Sequence, residues 1–385
     1  MSLGVERPVR LGSTYDAYEY AAIIVGSGCS KEHETGRGVT WTRNAHPLFA
    51  NALVYSTEFQ NGVLILRDTH SQKTTTVTDV VEGGSVLLAV LAGDGTVASV
   101  GQEMAIAENG FGTKPENRSA LIAEGYGNGN VLQIILNGAK GVRKPPQLLR
   151  PELAEAQRIP LMEIVINGVK HYATLGFGLG ALGRGARDIN SESHRRAFGY
   201  KNEVLRTLIH ELRLGIKLSE KVNDGDIWVY YTQEGDSDGT KPVVKRAVSL
   251  DWANGPLLAK HIVLPDFSLS DQELRRIELQ DPMQLPYWTY GVQMNEWQTY
   301  SVPAGQVDHI VLAEDTDAHI NGNHMTIEKG STVTVSVSSL GFMAIANKDA
   351  RIKKPRIPIT PIVTAAVTTI PTRRQITRAL NPFSW

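Results

Sequence analysis

Short apolar runs alternate with glycine-rich turns over the first third of the chain. The runs lie at residues 21–25, 63–66, 86–91 and 119–123. Apolar runs of this length are typical of buried parallel strands. Residues 97–107 and 131–136, which follow the third and fourth runs, have helical patterns. Strands that alternate with helices in this way predict a doubly wound α/β domain.

Two glycine-rich loops follow the third and fourth predicted strands. The first contains residues 93–96, Gly-Asp-Gly-Thr, and the second contains residues 125–129, Gly-Tyr-Gly-Asn-Gly. Ligands of open parallel sheets bind at the carboxyl ends of the strands. Glycine lets the backbone approach a ligand, and the N–H groups that open the following helix favour an anion such as phosphate. The loops therefore predict a phosphate site, with an unliganded turn as the alternative for Gly-Asp-Gly alone.

The second half of the chain has a different pattern. Asn167-Gly168 lies between two strand-like runs and favours a tight hairpin. Leucine and isoleucine recur at helical spacing over residues 205–212. Ser270 followed by Glu273 predicts a capped helix over residues 270–279. The rest of the chain to about residue 346 has strand and turn patterns that predict an antiparallel β-sandwich or barrel.

These patterns predict an α/β domain followed by an all-β domain, a β-sandwich. The expected boundaries are an N-terminal extension over 1–19, a nucleotide-binding domain over 20–158, a sandwich domain over 159–350 with a helical segment near 200–215, and a tail over 351–385. The tail has seven lysines and arginines, five prolines and no acidic residue. Two interpretations remain open for the tail: a disordered basic segment, or an arm that docks on a protein partner, a second copy of the chain or an acidic lipid.

Composition narrows the function classes. The formal net charge is −1, which gives no long-range attraction to nucleic acid, so no nucleic-acid partner is expected. The single cysteine, Cys29, excludes an internal disulfide. The longest apolar run, residues 86–92, is much shorter than the roughly 20 residues that cross a bilayer. We expect a soluble, cytoplasmic protein, which would visit the membrane surface if it acts on a lipid.

The order of motifs resembles the diacylglycerol kinase family, which includes sphingosine and ceramide kinases. Residues 92–96 resemble its Gly-Gly-Asp-Gly-Thr loop, and residues 125–129 resemble its Gly-Thr-Gly-Asn-Asp loop. Residues 166–180 are similar to the strand pair and Gly-Phe-Gly turn that open its second domain, and residues 320–323 to its Asp-Gly-Glu hairpin. The resemblance covers residues 20–350. It implies a phosphofructokinase-like domain that holds ATP, and a β-sandwich that holds the acceptor.

The resemblance also implies roles for particular residues. The implied nucleotide contacts are Ser27, Gly28, Gly93, Gly95, Thr96, Gly125, Gly127 and Asn128. Asp94 would be the catalytic residue and would hold Mg²⁺, directly or through water. Thr96 would donate its hydroxyl to the ligand or cap the helix. The implied reaction moves the γ-phosphate of ATP to a hydroxyl of a lipid or another small molecule.

Three carboxylates of the family pattern are missing. The hairpin has Asn321, Gly322 and Asn323 in place of Asp-Gly-Glu, and Gly129 replaces the aspartate of the second loop. An amide neither accepts a proton near neutral pH nor carries a charge for a metal. Tyr126 replaces a threonine and is expected to intrude on the phosphate space.

Two main hypotheses follow from these departures. One is a nucleotide-binding, lipid kinase-like protein whose catalytic activity the missing carboxylates leave open. Whether Asp315 or Asp317 replaces the missing base also stays open. The other is a catalytically inactive pseudokinase that serves as a structural or assembly component through residues 351–385. A relative of NAD kinase, which shares the Gly-Asp-Gly loop, is a third reading, but the second loop lacks an Asn-Glu pair.

Two further patterns carry structural expectations. His319 and His324 are five residues apart, and strand spacing predicts that they lie on opposite faces, which argues against a metal site. The glycines between residues 178 and 185 are expected to form a turn that follows a hairpin, without opening a helix.

Overall fold

The computed structural model of the chain describes residues 14–27, 32–60, 63–112, 118–126, 131–137, 153–190, 228–234, 243–255, 257–259, 262–263, 272–280 and 298–348. Several sequence predictions lie outside the described residues. They concern Gly28, Cys29, Gly127, Asn128, the helical segment near 200–215 and the tail over 351–385.

The described residues contain five α-helices and twenty strands. The helices are α1 Glu32–Ala45, α2 Val77–Glu82, α3 Asp94–Gly110, α4 Val131–Asn137 and α5 Ala181–Asn190. The first ten strands are β1 Tyr20–Val25, β2 Leu53–Gln60, β3 Val63–Asp68, β4 Thr74–Thr75, β5 Val86–Ala92, β6 Ala120–Gly125, β7 Ala154–Ile166, β8 Val169–Ala173, β9 Gly176–Gly180 and β10 Val229–Gln233. The others are β11 Lys245–Ala247, β12 Ser249–Ala253, β13 Leu257–Ala259, β14 Ile262–Val263, β15 Glu273–Leu279, β16 Gln298–Pro303, β17 Val307–Leu312, β18 Thr316–Ile320, β19 Asn323–Ile327 and β20 Thr332–Asn347. No described helix is long and apolar enough to cross a bilayer.

A twelve-stranded mixed sheet runs through the molecule in the order β11-β10-β17-β20-β6-β5-β1-β2-β3-β4, with β7 and β8 attached through β20. Its central strands β2, β1, β5, β6 and β20 are parallel. Every residue of β5 is buried, because α3 covers one face of the sheet and α1 the other. The four apolar runs predicted as strands are strands, and the predicted helices that became α3 and α4 are confirmed. The expected parallel pairing is wrong for the run at 63–66, because β3 pairs antiparallel with β2 and β4.

A separate antiparallel sheet has the order β16-β15-β12-β9-β18-β19. One face of it packs on the β7, β10, β17 and β20 part of the large sheet, around a core that includes Trp252, Phe177 and Tyr231. The predicted hairpin at Asn167-Gly168 joins β7 to β8, and both turn residues have positive φ. The architecture is therefore mixed α/β, with a large mixed sheet and a second, antiparallel sheet.

β20 links the two halves of the chain. Its first part pairs with β17 and β7, and at Met343 and Ala344 it pairs in parallel with β6. The strand therefore completes a sheet whose other parallel strands come from the first 125 residues. Without β20, β6 would present an unpaired row of backbone groups.

The helix predicted over residues 270–279 is wrong, because Glu273–Leu279 is strand β15 between β12 and β16. The spacing of Ser270 and Glu273 matches a capping box, but strand pairing on both sides of the segment overrides this local signal. In the structure Arg276 and Glu278 are buried as an ion pair with an N–O distance of 3.1 Å, and Arg276 also binds Asp308. Pairing satisfies the charges, so the strand can lie inside the sandwich.

The turn expected over the glycines at residues 178–185 is also wrong. Gly178 and Gly180 belong to β9, and helix α5 begins directly after this strand. The glycines allow close packing on both elements. A Cβ on Gly183 would meet the backbone of Asp317 at 2.4 Å, and one on Gly178 would clash with Asp251 and His319.

Candidate functional site

Three predicted segments meet at the carboxyl edge of the parallel strands. The N–H of Gly26, which follows β1, donates to Leu91 O at 3.0 Å, and the N–H of Tyr126 donates to Ala92 O at 2.8 Å. Gly26 lies so close to β5 that an added Cβ would be 2.6 Å from the Cβ of Ala92. The ends of β1, β5 and β6 therefore form one surface around the start of α3.

The first turn of α3 presents open backbone at this surface. Gly93 is the N-cap, with φ −78° and ψ 166°, and the helix begins at Asp94. Thr96 consequently lies inside the first turn and is not the cap. A Cβ added to Gly95 would meet nothing within 4 Å. N–H groups in a first helical turn have no helical acceptors, and the helix dipole adds positive potential there. The arrangement suits an anion.

Asp94 connects the starts of two helices. Its Oδ1 accepts a hydrogen bond from the N–H of Leu132, in the first turn of α4, at 3.3 Å. A carboxylate between two helix N-termini is stabilised in its charged form. Mg²⁺ is commonly held by one or two carboxylates together with substrate phosphates and water. The position and charge of Asp94 fit such a role.

Ser27 is held by β2. Its N–H donates to Thr57 Oγ1 at 3.1 Å, and its hydroxyl donates to the carbonyl oxygen of Thr57. Because the hydroxyl proton of Ser27 is already donated to Thr57, the hydroxyl oxygen can act towards a ligand only as an acceptor. Thr57 was not anticipated from the sequence, because it lies in β2, a strand that the pattern of apolar runs did not identify.

Tyr126 does not take the position expected from its sequence. Its side chain is buried, and a Cβ on Gly38 of α1 would clash with its hydroxyl. The ring belongs to the core on the α1 face of the sheet, whereas Val97 of α3 belongs to the core on the other face. The expected intrusion into the space above α3 is therefore wrong. Successive residues of β6 and its continuation point to alternate faces, and this places Tyr126 on the α1 side.

Glu124 is a buried carboxyl at the same edge that sequence reasoning missed. It lies in β6, in register with Leu91 of β5, and is 7% exposed. Its Oε1 has no hydrogen-bond partner, and burial raises its pKa from 4.5 to about 8. In the sequence, the feature that marks this residue is a single acidic side chain in the apolar stretch before Gly125. Burial therefore favours the protonated form of Glu124.

The hairpin at residues 321–323 has a structural explanation. Asn321 and Gly322 have φ of 50° and 84°, the positive values that the Asn-Gly pair predicts. Oδ1 of Asn321 accepts from the N–H groups of Thr174 and Leu175 at 3.0 and 2.9 Å. Its own N–H donates to Gly176 O at 2.9 Å. The Asn321 side chain therefore fastens the hairpin to the β8–β9 connection.

The same connection reaches α3. Thr174 is fully buried, and its hydroxyl donates to Ala98 O at 3.4 Å. Ala98 is four residues after Asp94, which is about one helical turn. The structure thus brings the hairpin of the second half to the flank of the helix that begins at Asp94.

The carboxylates of Asp315 and Asp317 are engaged elsewhere. Oδ1 of Asp315 accepts from the N–H of Lys329 at 2.8 Å. Asp317 lies 2.9 Å from Arg184 and 2.7 Å from Nε2 of His324. Neither residue lies at the hairpin tip, and both carboxylates have structural partners.

His319 and His324 do not lie on opposite faces, so that prediction is wrong. The turn at residues 321–322 makes them direct cross-strand partners. Nδ1 of His319 accepts from the N–H of Gly322 at 3.3 Å, and burial lowers its pKa to about 4. Among the described residues, no group of three His, Cys, Asp or Glu side chains is arranged to hold a metal.

Comparison with known proteins supports the fold. No family model and no curated protein matches the sequence. Three solved structures from Bacillus anthracis str. Sterne are similar, and all are named as diacylglycerol kinases, two of them by provisional assignment. The first has 14% identity and a TM-score of 0.56, and the match covers 91% of this chain and 100% of the other. The other two have 15% identity and TM-scores of 0.50 and 0.51, over 87% and 86% of this chain and 99% and 98% of theirs. The chain shares the fold of these proteins.

Proposed function

We propose that this chain is a lipid kinase-like protein that binds a nucleoside triphosphate with Mg²⁺ at the start of α3. The observation that carries the proposal is the convergence of Gly26, residues 93–96 and Gly125 at one sheet edge, around open helix N–H groups. The fold that the chain shares with proteins named as diacylglycerol kinases also supports the proposal. ATP is the nucleotide that this proposal names.

Each residue at this edge has a role in the proposal. Backbone N–H groups of Gly95 and Thr96 bind phosphate oxygens, and the absence of a Cβ at Gly93 and Gly95 allows the phosphates to come close. Asp94 holds Mg²⁺, which would neutralise charge on the phosphates. Ser27 contributes only its side-chain oxygen, as an acceptor, because both its N–H and its hydroxyl already donate to Thr57.

The acceptor half supports two versions of the function. In an active kinase, a hydroxyl of a lipid or another small molecule would lie between α3 and the hairpin at residues 321–323. In the second version the protein is a pseudokinase that binds nucleotide without turnover. The contacts of Asn321 favour the second version, because both its amide oxygen and its N–H are committed to backbone partners.

Calorimetric titration of ATP-Mg²⁺ into the full chain tests nucleotide binding. Asp94→Asn is the informative variant, since an asparagine oxygen retains the acceptor for Leu132 while the charge is lost. We expect binding to weaken at least tenfold, and Glu82→Gln, an exposed position in α2, is the charge-matched control. Absence of binding by the wild type, or equal binding by Asp94→Asn, would refute the proposal.

Restoration of the hairpin separates the two versions. The double variant Asn321→Asp with Asn323→Glu supplies the two missing carboxylates, and aspartate retains an acceptor for Thr174 and Leu175. With ATP and a mixture of lipid acceptors, phosphorylated product from the variant but not from the wild type would establish that the wild type is a pseudokinase. Product from the wild type would establish an active kinase.

A further inference from the structure

A polar cavity lies at the end of the parallel sheet opposite to the start of α3. It has a volume of about 440 Å³ and is lined by Arg158, Gln272, Ala304, Gly305, Ser338 and Ser339, together with Val337. Arg158 is in register with Met343, which is itself paired with Ala120, the first residue of β6. The glycine loop at residue 93 follows the other end of the neighbouring strand. The cavity is therefore separate from the candidate nucleotide site.

A bulge in β20 forms one wall of the cavity. The pairing of β20 with β7 shifts register between Val337 and Gly341. Such bulges are often used to redirect side chains and backbone. Within this one, Ser338 Oγ accepts from the N–H of Leu340 at 3.1 Å. The opposite wall is the turn after β16, where the N–H of Ala304 donates to Gln272 O at 2.8 Å. One wall is therefore fixed by a hydrogen bond to a side chain and the other by a backbone hydrogen bond.

Arg158 provides the charge of the cavity. Its Nη2 donates to Ser339 O at 2.7 Å, and Gly341 lets the guanidinium lie against the backbone, since an added Cβ would be 3.0 Å from Cζ. Among the described residues no carboxylate forms an ion pair with Arg158. A guanidinium has five N–H donors in a planar fork, so donors remain for a ligand.

A second arginine adds positive charge near the first. Burial and the nearby charge of Arg118 lower the pKa of Arg158. Nε of Arg118 is buried without a hydrogen-bond partner. An anion near Arg158 would relieve this repulsion between like charges.

We propose that the cavity binds a phosphate ester, with the phosphate on Arg158 and the Ser338–Ser339 wall, and a small organic group against Ala304 and Val337. A guanidinium matches the geometry of phosphate oxygens with two parallel hydrogen bonds. A cavity of this size accommodates more than an inorganic ion, because small-molecule pockets are typically about 300–1,000 Å³. None of the lining residues is acidic.

Isothermal titration calorimetry tests the proposal. Glycerol 3-phosphate is titrated into the full chain at constant ionic strength. Arg158→Gln removes the charge but keeps an amide donor for Ser339 O, and Ala304→Glu places a carboxylate in the wall. We expect each variant to bind at least tenfold more weakly than the wild type, with an unchanged melting temperature without ligand. Gly95→Ala, at the candidate nucleotide loop, should bind as the wild type does.

A parallel sedimentation assay identifies the source of the phosphate. Vesicles of phosphatidylcholine with and without phosphatidylglycerol distinguish a lipid headgroup from a free phosphate ester. Capture by anionic vesicles that Arg158→Gln abolishes assigns the site to a lipid headgroup, and Arg158-dependent binding of glycerol 3-phosphate alone assigns it to a soluble ester. No saturable binding in either assay, equal binding by Arg158→Gln, or loss of binding only in Gly95→Ala would overturn the proposal.

Discussion

The start of α3 and the hairpin at residues 321–323 are both glycine-containing turns, but their backbone groups are satisfied in different ways. At the start of α3, Gly95 faces open space and the first-turn N–H groups have no helical acceptors. At the hairpin, Asn321 binds Thr174, Leu175 and Gly176. The first turn has open backbone that suits a ligand, whereas the second holds two parts of the protein together. A similar residue pattern therefore supports a binding role at one place and a structural role at the other.

Glu124 gives the largest expected effect at the first region. Its pKa is raised to about 8 by burial, so the folded protein keeps a proton that the unfolded chain releases above pH 4.5. The stability associated with this group is full below pH 4.5 and is lost as the pH rises towards 8. In Glu124→Gln the free energy of unfolding should rise relative to that of the wild type by about 1.4 kcal/mol per pH unit between pH 4.5 and pH 8, on the order of 5 kcal/mol in total.

Urea denaturation at several pH values between 4 and 9 measures this difference. Parallel pH profiles for the two proteins would show that Glu124 titrates as an exposed carboxyl does, and that the edge below Gly125 is open to water.

Asn321→Ala tests the structural role of the hairpin. The change leaves two backbone N–H groups without their acceptor and places alanine at a φ of 50°. We expect a loss of about 2–3 kcal/mol in the free energy of unfolding. Asn321→Asp, which keeps the acceptor, should change it much less. A loss below about 0.5 kcal/mol in the alanine variant would mean that the hairpin is not a structural clamp.

Gly95→Ala tests the opposite property at α3. The position has open space, and alanine favours helix over glycine by about 1 kcal/mol, so the variant should be at least as stable as the wild type. The methyl group would nevertheless obstruct a phosphate, and ATP-Mg²⁺ binding should weaken about tenfold. Gly110→Ala, an equally open position at the other end of α3, is the matched control. Equal binding by both variants would place the nucleotide elsewhere.

Thr174→Val gives the smallest expected effect and examines the link between the two regions. It removes the hydrogen bond to Ala98 O, which at 3.4 Å is long. A loss of about 0.5–1 kcal/mol is expected from thermal or urea unfolding. Thr326→Val on the exposed side of β19 provides the comparison. If the two variants are indistinguishable, the contact does not contribute to the docking of the hairpin on α3.

The predictable parts of the fold share a physical cause. Strands β1, β5 and β6 were evident because a strand buried on both faces is apolar throughout, and α3 and α4 follow them directly. β2 was missed because it is less uniformly buried and contains Glu58 and Gln60. Helix α2 was missed although Thr76 and Asp79 form a capping box that the sequence displays. β15 was missed because the spacing of Ser270 and Glu273 imitates a helix cap, whereas its pairing with β12 and β16 is not visible locally.

The candidate site divides in the same way. Gly93, Asp94 and Gly95 were found because a glycine loop after a buried strand is visible locally. The roles of Thr57, Thr174 and Glu124 depend on neighbours 30 or more residues away in the chain, such as Ser27 and Ala98, and no local pattern reports them. The orientation of Tyr126 depended on which face of the sheet α1 covers.

The sequence by itself determined the parallel strands β1, β5 and β6, the glycine loops that follow β5 and β6, and the Asn-Gly turns, because burial on both faces and positive φ restrict residue type locally. Only the tertiary structure decided that β20 completes the sheet of the first half, that Asn321 is bound to backbone groups and that Arg158 lies beside a cavity whose described lining residues include no carboxylate. These properties arise from contacts between distant segments. Hydrogen bonding and charge pairing there depend on distances that the order of residues does not contain.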